Sequence, residues 1–103
     1  MSRYYRMAVT VKGHNALRKD EIIKAASQEW NFEGWQELTG ALWATGEENL
    51  TSSEEEFVTT ISKMVWKANQ AFCQVQIDAT YLDDLPSETH QLTEEDYRKL
   101  VNP

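Results

Sequence analysis

Two segments of this chain alternate in hydropathy with a period of two, and two segments of helical period lie between them. Tyr5, Met7, Val9 and Val11 alternate with Tyr4, Arg6, Thr10 and Lys12. Cys73, Val75, Ile77, Ala79 and Tyr81 alternate with Gln74, Gln76, Asp78 and Thr80. Such alternation marks strands with one buried and one wetted face, because successive side chains point to opposite sides. Strands are therefore expected over residues 4–12 and 72–82.

Gly13-His14-Asn15 breaks the first pattern, and a helix follows over residues 18–30. Ile22, Ile23, Ala26 and Trp30 form its apolar stripe. Asp20 and Glu21 lie in its first turn, where the dipole favours negative charge, and Asn15 is the nearest candidate cap. Residues 31–38 and 41–45 read as a hairpin turning at Thr39-Gly40 and closed by Gly46-Glu47-Glu48-Asn49. One longer strand over 37–45 is the competing reading, disfavoured because glycine inside a strand is costly.

The second helix has the clearest start. Ser52 with Glu55, or Ser53 with Glu56, forms a capping box, and Phe57, Val58, Ile61, Met64, Val65 and Ala68 form the buried stripe. Lys63 and Lys67 suit its later turns. Near the end, Thr93 and the acids after it open a short helix over 93–100, with Leu92, Tyr97 and Leu100 expected to dock it.

The resulting order is β–α–β–β–α–β, which predicts an α+β, ferredoxin-like split βαβ fold. Its antiparallel sheet would carry both helices on one face. Residues 1–85 are expected to form the domain, with 86–103 as a C-terminal extension packed on it. Tyr5, Met7, Val9, Val11, Leu42, Cys73, Val75 and Ile77 would meet Ile22, Ile23, Ala26, Phe57, Ile61 and Val65 in one core.

The chain has 103 residues, room for one domain, and a net charge of −7. Acidic excess repels phosphate backbones and anionic lipid, so neither nucleic acid nor membrane is an expected partner. Residues 1–24 hold six basic residues against Asp20 and Glu21, whereas residues 25–103 hold four against fifteen acids. An intramolecular match between the two regions is expected, with docking of an acidic face on a basic partner as the alternative. Cys73 is the only cysteine, which fits a buried structural thiol in a reducing cytoplasm. The start MSRYYRMAVTV has no signal-peptide layout, and no apolar run approaches the roughly 18 residues of a membrane span.

Candidate sites fall into four groups. The open sheet face would display Tyr4, Arg6, Thr10, Trp43, Gln74 and Gln76, with Phe72 as a further candidate. Aromatic and basic groups on an open sheet also stack RNA bases, but that fold's aromatic signatures are absent and the charge has the wrong sign. The terminal segment or a second copy of the chain is the expected cover for Trp43 and Tyr4. His14, Cys73 and His90 lack metal-ligand spacing, so no metal or cofactor is assigned. Asp78 would point to the wet face of the last strand and Asp83-Asp84 sits at its exit beside Pro86, and no catalytic residue is assigned. Of the four tryptophans, Trp30 belongs to the core and Trp66 to the edge of the second helix's stripe. Trp35 and Trp43 sit in the hairpin, as core closure or as partner anchors.

The run Asp78-Ala79-Thr80-Tyr81-Leu82-Asp83-Asp84-Leu85-Pro86, followed by Glu95-Asp96-Tyr97, resembles the ending of a group of small bacterial proteins of unassigned activity, some encoded in prophages or other mobile elements. Gly40-Ala41-Leu42-Trp43-Ala44 and Gly46-Glu47 share the likeness. The resemblance implies a bacterial cytoplasmic setting and no activity. The leading expectation is a non-enzymatic interaction module that binds a protein partner or itself through Tyr4, Arg6, Trp35, Trp43, Gln74 and Gln76. One alternative is a small-ligand sensor or enzyme with a pocket between sheet and tail, using Asp78, Tyr81 and His90. The other is an acidic inhibitor that mimics nucleic acid.

Overall fold

Among the described residues, nine elements build one sheet and the helices that cover it. The structure, a computed structural model, describes residues 3–82 and 87–101. β1 (Arg3–Lys12) leads through a 3-10 turn at Ala16–Arg18 into α1 (Lys19–Glu29). β2 (Glu33–Leu38) and β3 (Ala41–Leu50) form a hairpin, followed by α2 (Glu54–Asn69) and β4 (Gln74–Tyr81). β5 (Ser87–Gln91) and α3 (Glu94–Val101) complete the described chain. The strands form one sheet in the order β2-β3-β1-β4-β5, and each neighbouring pair is antiparallel. The class is therefore α+β, with five strands and three α-helices among the described residues.

Alternation along the strands decides which side is dry. Met7, Val9 and Val11 of β1 are wholly buried, as are Ala44 and Ile77 on the flanking strands. They meet Ile22 and Ala26 of α1 and Phe57, Val58, Ile61 and Val65 of α2 in a single apolar cluster. Burying such side chains contributes roughly 1.5–3 kcal/mol each relative to exposure. α1 and α2 also pack on each other.

Local signals set the element ends. Ser53 is the N-cap of α2: its Oγ accepts from the Glu56 amide at 3.1 Å, which selects the later of the two capping boxes. Gln70 closes the helix in the left-handed region at φ 64°. Asn15 caps the 3-10 turn rather than α1, accepting from the Leu17 amide at 3.0 Å. Thr39 and Gly40, with φ of 49° and 80°, form the two-residue hairpin loop. Positive φ at both central positions matches the right-handed twist of the flanking strands.

Several expectations change. β3 runs on to Leu50 and is not closed at Gly46, because Arg6 to Arg3 of β1 continue to pair with Glu47 to Leu50. β5 was not anticipated as a strand. Its sequence, SETHQ, carries no apolar alternation and buries no residue fully, as befits an edge strand. Phe72 is not on the open face; it packs against Trp66 and Tyr97 at centroid distances of 6.0 and 5.7 Å. α3 thereby docks on the helical side through Tyr97, with Leu92 partly buried against the core. Leu100 is 38% exposed and lines a shallow groove with Lys63, Met64 and Lys67 of α2. Asp83, Asp84 and Pro86 lie outside the described residues.

The N-terminal cations pair only in part with later acids. Arg6 meets Glu47 at 2.8 Å and Lys19 meets Glu37 at 3.5 Å, both at exposed positions where such pairs contribute up to about 1 kcal/mol. Arg3 and Arg18 instead donate to the Ser52 and Ala68 carbonyls, each at 2.9 Å.

Trp30 and Gly46 lock the hairpin to α1. Trp30 Nε1 donates to the Gly46 carbonyl at 2.8 Å, and its ring meets Phe57 edge-on at 4.9 Å. A Cβ at residue 46 would land on the Asn31 carbonyl oxygen, and that obstacle is backbone. Gly46→Ala is therefore expected to destabilise the fold by about 1–3 kcal/mol, the usual cost of overpacking. Urea denaturation of wild type and variant checks this.

Cys73 is 2% exposed, and burial pushes its thiol up to about 12. Trp66 seals the site by donating Nε1 to the Cys73 carbonyl at 2.8 Å. At pH 9 the native thiol is expected to resist iodoacetamide, and denatured chain to react within minutes. Mass spectrometry of the alkylated cysteine checks this.

Candidate functional site

The face of the sheet turned away from the helices is assembled by strand register. Gln36, Trp43, Thr10, Gln76 and Gln91 lie in one row across all five strands. The next row on that face is Glu33, Thr45, Ala8, Asp78 and Thr89. A third row holds Glu47, Arg6, Thr80 and Ser87. Tyr4 stands beyond it, opposite Asn49.

Most of this surface is Thr, Gln, Ala and Ser, and it carries the charges of Arg6, Lys12, Glu33, Glu47 and Asp78. Arg6 and Glu47 hold each other through Nε at 2.9 Å as well as the terminal nitrogen. Asp78 Oδ1 accepts from Thr89 Oγ1 at 2.6 Å. Tyr4 and Trp43 are 44% and 37% exposed. Beside Tyr4 and Arg6, a cavity of about 330 Å³ is lined by Asn31, Glu33, Thr45 and Gly46 as well.

Five of the six anticipated interface residues share this face: Tyr4, Arg6, Trp43, Gln74 and Gln76. Trp35 does not. Because Trp43 pairs with Gln36, its neighbour Trp35 must point to the helical side. There it meets Phe32 edge-on at 5.8 Å and donates Nε1 to Ser27 Oγ of α1 at 3.2 Å. The terminal segment also leaves Trp43 and Tyr4 uncovered, since α3 packs on Trp66 and Phe72.

A second constellation lies on the helical side of the β4–β5 edge. Tyr5 Oη donates to Glu54 Oε2 at 2.6 Å, and His90 Nε2 lies 2.8 Å from Glu54 Oε1. Glu88 Oε2 lies 3.7 Å from the same His90 nitrogen. The placement follows from register: His90 and Glu88 pair with Ile77 and Ala79, whose side chains face the helices. Tyr81 stacks on Tyr5 at 5.3 Å. Burial works to raise the Glu54 carboxyl, but hydrogen bonds from Tyr5 and His90, with the charges of His90 and Arg3, outweigh it and hold it below the usual range. Burial, then the bond to Glu54 and its charge, push the Tyr5 phenol up to about 12.

Sequence reading missed the roles of Glu54 and Glu88. The available signal was the spacing of Glu88 and His90, two apart, which places both on one face of any strand. Asp78 is on the opposite face from Tyr81 and His90, so the three do not form one pocket. His14 belongs to no group of clustered ligating side chains among the described residues.

Comparison with known protein families, curated proteins and solved structures found no match.

Tyr5→Phe leaves Glu54 Oε2 without its donor on a largely buried seam. Hydrogen bonds to charged groups are worth about 1.5–3 kcal/mol, and a loss of that size is expected. A urea titration at pH 7 measures it; an unchanged midpoint would contradict the assigned bond.

Proposed function

We propose that this chain is a non-enzymatic protein-interaction module that docks a protein partner, or a second copy of itself, through the outer face of its sheet. The observation that carries the reading is the exposure of Trp43 and Tyr4 on a face whose other side chains are mostly small or uncharged. Interface centres are depleted in charge and enriched in aromatic residues, and tryptophan and tyrosine are the usual anchors. The small net charge of the face supports the same reading, since Arg6 and Lys12 stand there with Glu33, Glu47 and Asp78 in a chain of net charge −7. That balance gives phosphate backbones no attraction.

The architecture is read as a ferredoxin-like core, strand order β4-β1-β3-β2, extended by β5. The antiparallel pairings and the two helices packed together support it. A bacterial cytoplasmic setting is part of the proposal. No helix among the described residues is long and apolar enough to cross a membrane.

Trp43→Ala is expected to weaken association by about 2 kcal/mol or more, roughly thirtyfold, as hot-spot truncations do. Stability should change by no more than about 0.5 kcal/mol, as at other surface positions. Sedimentation velocity over a concentration series, with a bait experiment using wild type and variant, reads the first quantity. Urea denaturation reads the second. Unfolding of Trp43→Ala would place the ring in the core and remove the reading. A wild type that stays monomeric and captures nothing that Trp43→Ala fails to capture would also overturn it.

A further inference from the structure

We propose a divalent transition-metal site at the seam between β5 and the start of α2, with Glu54, Glu88 and His90 as its ligands. One donor atom from each lies within 4.8 Å of the other two. The three come from two elements far apart in sequence, so their convergence is a product of the fold. β5 supplies Glu88 and His90 from one face, and α2 supplies Glu54 as its first residue. The helix dipole favours the ionised form of a carboxylate at that position, which is the form that ligates.

Hydrogen bonding explains only part of this arrangement. A neutral imidazole carries one N–H, and Nε2 can give at most one hydrogen. That hydrogen serves Glu54 at 2.8 Å, while Glu88 stands at 3.7 Å with no donor from His90. Arg3 does not close the gap: it donates to the Ser52 carbonyl at 2.9 Å and lies over the Tyr5 ring. Two carboxylates therefore face one imidazole.

A metal ion makes use of all three. Bond lengths of 2.0–2.2 Å in a tetrahedral zinc site put neighbouring donors about 3.3–3.6 Å apart. The two separations from His90, 2.8 and 3.7 Å, lie on either side of that range, and the two carboxylate donors, within 4.8 Å of each other, would close by up to about 1.5 Å. One nitrogen and two oxygens suit zinc among the divalent ions, with the fourth position left to water. Outside the ligand set, Tyr5 Oη orients Glu54 by holding its other oxygen at 2.6 Å, the role outer hydrogen bonds play around zinc. The Glu88 side chain is 70% exposed, which leaves the ion a path from solvent.

The test uses the untagged full chain, stripped with a chelator and titrated with ZnCl2 by calorimetry. One Zn²⁺ per chain is expected. Glu88→Gln, at an exposed position that the fold does not need, should weaken binding by more than about tenfold, the lower figure for loss of even an outer-shell partner. His90→Ala should do the same, and His14→Ala should bind as wild type. Co²⁺ in place of zinc should give a visible spectrum that Glu88→Gln alters. Absence of binding at micromolar zinc overturns the proposal. So does binding that survives in both Glu88→Gln and His90→Ala, or that His14→Ala abolishes.

Discussion

β1 is hydrogen-bonded on both edges, to β3 through residues 3–11 and to β4 through residues 5–12, and every other part of the fold takes its bearings from it. A strand so held has two faces and no freedom to exchange them. Slipping it by one residue would turn Arg6 and Lys12 toward the helices and expel Met7, Val9 and Val11, which are wholly buried. The cost would be several apolar side chains at roughly 1.5–3 kcal/mol each, before any penalty for burying charge. Register at β1 therefore decides the register of β3 and β4, and through them which side chains of β2 and β5 face water.

Much of this was legible because the relevant signals are local. Period-two alternation identified β1 and β4, and a capping box followed by an apolar stripe identified α2. The hairpin turn was legible in Thr39-Gly40, where positive φ is required. What escaped reading depends on partners distant in sequence. β5 has no apolar pattern of its own and exists because β4 offers it an edge. Trp35 and Trp43 looked equivalent until the pairing of Trp43 with Gln36 assigned them to opposite faces. The extension of β3 past Gly46 follows from pairing with Tyr5, Tyr4 and Arg3, which no window around Gly46 contains.

The same logic separates the two candidate surfaces. Residues 78 and 89 emerge on the outer face, while 77 and 90 emerge over the helices. One step along a strand thus moves a side chain from a polar, water-facing platform to a partly buried seam of ionisable groups. On the platform, chemistry is muted: Arg6 and Glu47 pair, and most of the exposed groups are rings, hydroxyls and amides. At the seam, Tyr5 and His90 meet the two oxygens of Glu54 in one hydrogen-bonded chain. The edge position of β5 matters to both, since it completes the rows of the platform and carries two of the seam's side chains.

Hydroxyl-radical footprinting read at single residues tests the division into a dry and a presented face most directly. Methionine and tryptophan both oxidise readily, so accessibility dominates their rates. In dilute native protein, Trp43 and Tyr4 should be modified quickly, while Met7, Trp30 and Trp66 should stay intact until denaturant is added. Oxidation of Met7 or Trp66 at a rate comparable to Trp43 would contradict the assignment of faces and, with it, the outer docking surface.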